Sequence, residues 1–302
     1  MTGMNDAAIE VWFAIDERTA ECGFVAAHSL LHHRPANSRT CIKVAYEKGK
    51  EAPAQWWAPM LGKTATNFTL DQVAIDLKDF GSCKGVFDSK AAFLRILIPD
   101  YSEAERCLYT DADVVFQEDI GNLLRVCKVN GNVIALVRSG SCKLQPEKEK
   151  KLLSQFGKGC DDWYYYSGLA VINNEEYRKQ GIIESSISLC KRHAAELSFH
   201  DQTVWNCILK EPETIQPRWC HEAYPVKSEA KSFHEGIVHF VGSPKPWDLF
   251  SEFFHPYAGI WFEAARRAGL SFPTIRRYIQ RNSWKRAFRI RRQYAPWLVK
   301  KD

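Results

Sequence analysis

The chain has 302 residues, 45% of them apolar and 25% charged, with a formal net charge of +5 at pH 7. That length supports a sizeable core in one large α/β domain or two small ones, and the balance excludes a disordered or fibrous polypeptide. Ten cysteines without a CxxC pair argue against a zinc ribbon and for free thiols in a reducing compartment, and no run of about 18 apolar residues supports a membrane-spanning helix.

The opening MTGMNDAAIEVWFAID has neither a basic leader nor a long apolar core, so no signal peptide is expected, and the sequon at Asn67 reads as chance. Glu10 to Ile15 (EVWFAI) is predicted as a first strand ending at Asp16, and Cys22 to Leu31 as a helix. Thr40 to Tyr46 is a second strand. A Pro/Trp-rich loop, EAPAQWWAPMLG, follows; Gln55–Trp57 there either line an acceptor site or plug the core. Ser89 to Leu97 is predicted helical, stopped at Pro99. Glu103 to Phe116 leads into a buried strand, LYTDADVVF. Asn132 to Val137 and Tyr166 to Ile172 are further strands, Glu175 to His193 and Asp201 to Leu209 helices, Gly236 to Val241 a short strand, and Asp248 to Ala268 a helix. Strands alternating with helices predict an α/β fold, a mostly parallel sheet covered on both faces.

Charge is concentrated at the end of the chain. Residues 273–302 carry ten Lys/Arg against one Asp, a balance of +9 that leaves −4 on the other 272 residues. The division expected is a domain over 1–270 and a basic, aromatic-rich helical segment over 271–302. Cationic residues interleaved with Trp and Phe suit an anionic membrane surface, through residues 273–301, better than nucleic acid. The alternative is a solvated helix packed on the domain.

Two stretches carry chemistry. LYTDADVVF sets Asp111 and Asp113 into an apolar run, where an unpaired charge is costly. Either they cap a strand end or they hold a metal ion, and residues i and i+2 of an extended chain point to one side. IVHFVGSPKPW sets His239 into another apolar strand, as a satisfied core imidazole or a ligand. Gly242 and Lys245 follow, a backbone that allows close approach and a cation suited to phosphate. Asp16, Asp111, Asp113 and His239 all fall at or near predicted strand ends, where open α/β sheets bind ligands.

LYTDADVVF, YYYSGLAVIN, FHDQTVWN and HFVGSPKPW, in that order and spacing, resemble glycosyltransferase family 8, which includes lipopolysaccharide α-galactosyl- and glucosyltransferases and glycogenin. The resemblance covers roughly residues 10 to 250. It implies a GT-A fold with a Rossmann-like sheet, a UDP-sugar donor, Mn²⁺ or another divalent cation, a glycan or glycolipid acceptor, and transfer with retention. By the same resemblance Asp111, Asp113 and His239 are metal ligands. Gly242 and Lys245 meet the diphosphate, and Ala14, Asp16, Asp111 and Ala112 bind the nucleotide. Arg95, Asp201 and Gln202 stand beside the transferred sugar as the catalytic set. A cytoplasmic enzyme, peripheral on the inner face of a membrane, is the expected setting.

Each carried-over role has a plainer counterpart. Arg95 could pair with an acid such as Asp88, and Gln202 could be a polar residue at a helix start. Gln202 is a poor nucleophile, which favours front-face attack over a covalent intermediate. Three positions depart from the family pattern: Tyr166 where Asn is usual, Arg138 where Asp is usual, and Glu17-Arg18-Thr19 in the nucleoside loop. Arg and Tyr cannot mimic the hydrogen bonding of Asp and Asn. The departures motivate an alternative, a catalytically silent nucleotide-sugar-binding protein. A nucleotidyltransferase is a further rival, but FAIDERTAECG lacks its Gly-rich triphosphate loop.

Overall fold

A computed structural model describes residues 8–302 apart from 36, 86–88, 128, 130, 226–232, 249–250, 252–254, 271–287 and 289–302. Its strands are β1 (Ile9–Ala14), β2 (Thr40–Glu47), β3 (Phe68–Ile75), β4 (Arg106–Thr110), β5 (Val114–Phe116), β6 (Ile134–Ser141), β7 (Trp163–Asn173), β8 (Glu213–Ile215), β9 (Cys220–Glu222) and β10 (Ile237–His239). Seven form the main sheet in the order β3-β2-β1-β4-β7-β6-β8, and β5, β10 and β9 form a second, small sheet. In the main sheet only β7 runs against its neighbours β4 and β6; the other pairs are parallel.

The sheet is buried on both faces, as a parallel sheet must be, and its strands alternate between two cores. Val11, Phe13 and Leu108 face one, with Phe24 and Val25 of helix α1 (Ala20–His33) and Trp57 of the short helix α2 (Trp57–Leu61). Trp12, Cys107 and Tyr109 face the other. There they meet α3 (Leu94–Leu97), α5 (Glu147–Gln155), α6 (Asn174–Lys179), α7 (Ile182–His193) and α8 (Asp201–Ile208), which α4 (Gly121–Val126) precedes in part and α9 (Ala258–Arg267) follows. Trp57 is fully buried, edge-on to Phe13 with ring centroids 6.5 Å apart, so of the two readings of the Trp-rich loop it takes the core plug.

Several predicted elements are corrected. Ser89–Leu97 is a 3₁₀ turn over Ala91–Phe93 running into the single turn of α3. The helix over Glu175–His193 breaks at Gly181, whose φ of 64° no longer follows a helix. Within the predicted helix Asp248–Ala268, the described residues form a helix over Ala258–Arg267. A helix forms at Trp57–Leu61 despite Pro59, which stands in its first turn where no backbone donor is needed. β3 and α5 were not anticipated. β3 is an edge strand without a clean apolar face, and the first five residues of α5 are all charged, leaving Leu152 and Leu153 as its only apolar side chains. The basic segment 271–302, and with it the expected membrane contact, lies outside the described residues except for Phe288. No described helix is long and apolar enough to cross a membrane.

A cavity of about 280 Å³ lies between the C-terminal half of α1, β5 and α9, lined by His28, His32, His33, Glu263 and Arg267 among others. Burial, with His32 and Arg267 adding to it, lowers the His28 imidazole to about 4. His28 is therefore neutral in the fold and titrates near 6.5 once unfolded. As the pH falls from about 6.5 toward 4 the unfolded chain takes up a proton that the fold refuses, so stability falls, by about 2 kcal/mol for this group. His28→Gln should remove roughly that share of the acid loss, read from urea midpoints at pH 7 and pH 4.5. An unchanged pH dependence sinks the assignment.

Candidate functional site

The predicted single strand LYTDADVVF is two strands of different sheets, and the two carboxylates sit at the break. β4 ends at Thr110. The Asp111 N–H then donates to Gly168 O (2.9 Å) on β7, while Asp113 O accepts from Phe240 N (3.0 Å), beyond β10. Ala112, between them, turns its side chain into the core. This hand-over from one sheet to the other puts both carboxylates at strand ends, partly exposed, where a continuous buried strand would enclose them.

The register of the small sheet supplies the third member. β10 runs antiparallel to β5 with His239 opposite Val114, so the imidazole lies beside Asp113 although 126 residues separate them. His239 Nε2 is 3.1 Å from Asp113 Oδ1 and 4.0 Å from Asp111 Oδ2. One ligand atom from each of the three lies within 4.8 Å of the others, and the described residues contain no other cluster of three or more such groups. Two hard oxygens and an imidazole suit a divalent ion such as Mn²⁺. The third strand of the sheet, β9, holds β10 in place by parallel pairing.

Past β10 the chain turns at Gly242, with φ 76°, and brings Lys245 back. Its ammonium donates to Asp113 Oδ2 (2.6 Å) and to the carbonyl of Phe240, and its backbone N–H donates to Asp248 Oδ2 (2.7 Å), which sets the turn. Burial would raise the Asp113 carboxyl. Lys245 and then His239 outweigh burial and hold it far below the usual carboxylate range. Asp113 is thus ionised, as a metal ligand must be.

Arg95, nine-tenths buried on α3, organises the other side. Its Nη2 pairs with Asp111 Oδ1 (2.8 Å), its Nε with Asp201 Oδ2 (3.1 Å), and its Nη1 donates to Ser167 O and Oγ (2.8 and 2.9 Å). The guanidinium lies 4.6 Å from the centroid of the Tyr109 ring. Burial works against its charge, but Asp111 and Asp201 hold it protonated. Asp201 is buried too deeply for Arg95 to compensate fully, and its carboxyl is pushed up. It also accepts from Ser167 Oγ (2.9 Å), and Gln202 Oε1 accepts from Ser167 N (3.2 Å). Asp201 and Gln202 open α8 after His200, whose φ of 54° marks a sharp entry.

Of the residues singled out in the sequence, the structure brings together Asp111, Asp113, His239, Lys245, Arg95, Asp201 and, through Ser167, Gln202. Asp16 is engaged elsewhere. Oδ1 accepts from Arg18 N, Thr19 N and Thr19 Oγ1 (3.0, 3.0 and 2.9 Å), and Arg18 pairs with Oδ2 (3.1 Å). Burial opposes its ionisation, but hydrogen bonds from Ser89 and Thr19 and the nearby Arg18 lower its pKa. Glu17-Arg18-Thr19 thus forms a turn around Asp16. Ala14 pairs with Ala45 at the end of β1. Arg138 stacks on Trp163, 4.4 Å from its ring centroid. Tyr109 and Ser167 went unnoticed in the sequence. Tyr109 lies two residues before Asp111 and donates to its Oδ1 (2.7 Å), a relation that the i, i+2 spacing contains. No local pattern marks Ser167.

The fold is that of the GT-A glycosyltransferases. The galactosyltransferase LgtC, solved in complex with donor and acceptor sugar analogues, aligns with a TM-score of 0.69 over 86% of this chain and 96% of that one, at 18% identity, a likeness of fold alone. The chain belongs to glycosyl transferase family 8, whose pattern it matches over residues 11–250. It is 34% identical to General stress protein A of Bacillus subtilis (strain 168) over 58% of this chain and 64% of that protein. It is 29% identical to the lipopolysaccharide 1,2-glucosyltransferase of Escherichia coli (strain K12), over 47% of this chain and 44% of that protein. The chain therefore spans about half to two thirds of the length of these curated relatives.

Proposed function

We propose that this chain moves a hexose from a UDP-sugar to a glycan or glycolipid, with retention at the anomeric carbon. The observation that carries the reading is the convergence of Asp111, Asp113 and His239 within 4.8 Å, with the Lys245 ammonium on the same carboxylate. These three residues would hold a divalent cation such as Mn²⁺. Bound there, the cation would neutralise charge growing on the departing diphosphate.

The protein's own groups do the rest. Lys245 adds a positive charge where the leaving group departs, in a setting where preorganised charge costs no reorganisation. Gly242, which carries no side chain, leaves room for the diphosphate to approach the backbone. Ala14, Asp16 and the Asp111-Ala112 backbone line the nucleotide; Asp16, tied to its own turn, holds the loop that borders the base. Arg95 ties Asp111 and Asp201 together through one guanidinium. Asp201, held by Arg95 and Ser167, is committed to orientation. Gln202 offers an amide to the sugar. With no free carboxylate nucleophile among these groups, the acceptor attacks on the face that the diphosphate leaves, and a diphosphate oxygen takes its proton. A trapped glycosyl-Asp201 adduct would overturn that choice. The glycolipid acceptor rests on the lipopolysaccharide glucosyltransferase likeness, and the peripheral setting on the basic, aromatic-rich run of residues 273–301.

The test is release of UDP from a panel of UDP-sugars with Mn²⁺ and no acceptor. Metal-dependent release from one sugar supports the reading and identifies the donor. Tight UDP binding with no turnover of any sugar, even with lipopolysaccharide core acceptors added, favours the silent binding protein.

A further inference from the structure

The departure at Tyr166 has a definite place in the structure. Its hydroxyl is 3.0 Å from Asp111 Oδ2, and 2.8 Å from Nδ1 and 3.0 Å from Nε2 of His239. Its ring lies against the His239 ring, centroids 5.0 Å apart and planes 27° off parallel. The phenol is buried on β7. The berth is made by the next residue but one. A Cβ on Gly168 would lie 1.6 Å from the Tyr166 hydroxyl, 2.1 Å from Cζ and 2.5 Å from Asp111 Oδ2. Residue 168 can carry no side chain while the phenol occupies this position.

We propose that Tyr166 is a positioning residue of the triad: its hydroxyl donates to Asp111 Oδ2 while its ring packs on the face of the His239 imidazole, so that one side chain holds two ligands in place. Asp111 is then held by Tyr109 and Arg95 on Oδ1 and by Tyr166 on Oδ2. An amide at position 166 would be too short to lie across the His239 ring.

The inference rests on the metal reading of the site. Tyr166→Phe keeps the ring and its packing on His239 and removes only the hydroxyl. Mn²⁺ binding to the full chain, without donor, is read by the loss of the free-ion electron paramagnetic resonance signal. The variant should bind about 10- to 100-fold more weakly than the wild type, with the metal-free melting temperature little changed. Equal or tighter binding by Tyr166→Phe overturns this inference and leaves the metal site standing. No binding by the wild type overturns both. A variant that loses metal-free stability while its Mn²⁺ affinity is unchanged makes Tyr166 a packing residue and overturns the inference as well.

Discussion

Asp113→Ala should lower Mn²⁺-dependent release of UDP from the preferred sugar by about 10³-fold or more, the several kcal/mol that a metal's charge stabilisation supplies. The reason lies in how many groups meet at this one carboxylate. Asp113 Oδ1 faces His239 and Oδ2 holds Lys245. Its removal takes away a ligand, frees the Lys245 ammonium from its place beside the leaving group, and leaves His239 with one carboxylate fewer. Asp113→Asn keeps the shape and one acceptor but not the charge, and should fall nearly as far. A cation needs the anion, whereas a merely structural hydrogen bond would be rescued by the amide. Initial rates across a Mn²⁺ titration separate the two: a loss recovered at high Mn²⁺ places the defect in metal affinity, and a loss that persists places it in charge stabilisation. Activity within tenfold of wild type for either variant would remove Asp113 from the site.

Arg95→Ala should destabilise the fold by about 3–5 kcal/mol, the cost of leaving buried ions without their partner. Arg95 is the only cation in contact with Asp201 among the described ion pairs, and it reaches Asp111, Ser167 and the Tyr109 ring as well. Arg95→Lys should recover part of the stability and little of the activity. One ammonium can balance charge but cannot span Asp111, Asp201 and Ser167 as a planar fork does. The check is urea denaturation of metal-free, nucleotide-free protein. A loss below about 1 kcal/mol for the alanine variant would mean that Asp201 folds protonated and does not need the arginine. That alternative has a signature of its own, because Asp201→Asn would then be nearly neutral in stability.

The two variants probe halves of the site that were legible to different degrees. Asp111 and Asp113 stand out in LYTDADVVF because a charged pair interrupts an apolar run, and HFVGSPKPW stands out because a histidine, a glycine and a lysine share a short span. Both are local signals, readable from spacing alone. What lay around them was not. The stretch quoted as one strand is two, since apolar character on either side of Asp-Ala-Asp does not show that β4 and β5 belong to different sheets. Arg95 invited a guess at a neighbouring acid, but its partners are 16 and 106 residues away, at Asp111 and Asp201. The turn that the Asp16 carboxylate anchors, through Arg18 and Thr19, was equally hidden.

By itself the sequence determined the alternation of strands and helices, the apolar runs of a sheet covered on both faces, and the residue types of a cation-holding site. These follow from periodicity and short spacings, which each segment carries within itself. Only the tertiary structure decided which of those residues meet. The register that sets His239 opposite Val114 and the switch of sheets at Asp111 to Asp113 join segments far apart in the chain, such as Asp111 with Gly168 and Asp113 with Phe240. The glycine berth that admits the Tyr166 hydroxyl depends on where β7 passes Asp111. A hydrogen bond or ligand contact depends on distances of a fraction of an ångström, and those distances are set by the packing of the whole domain.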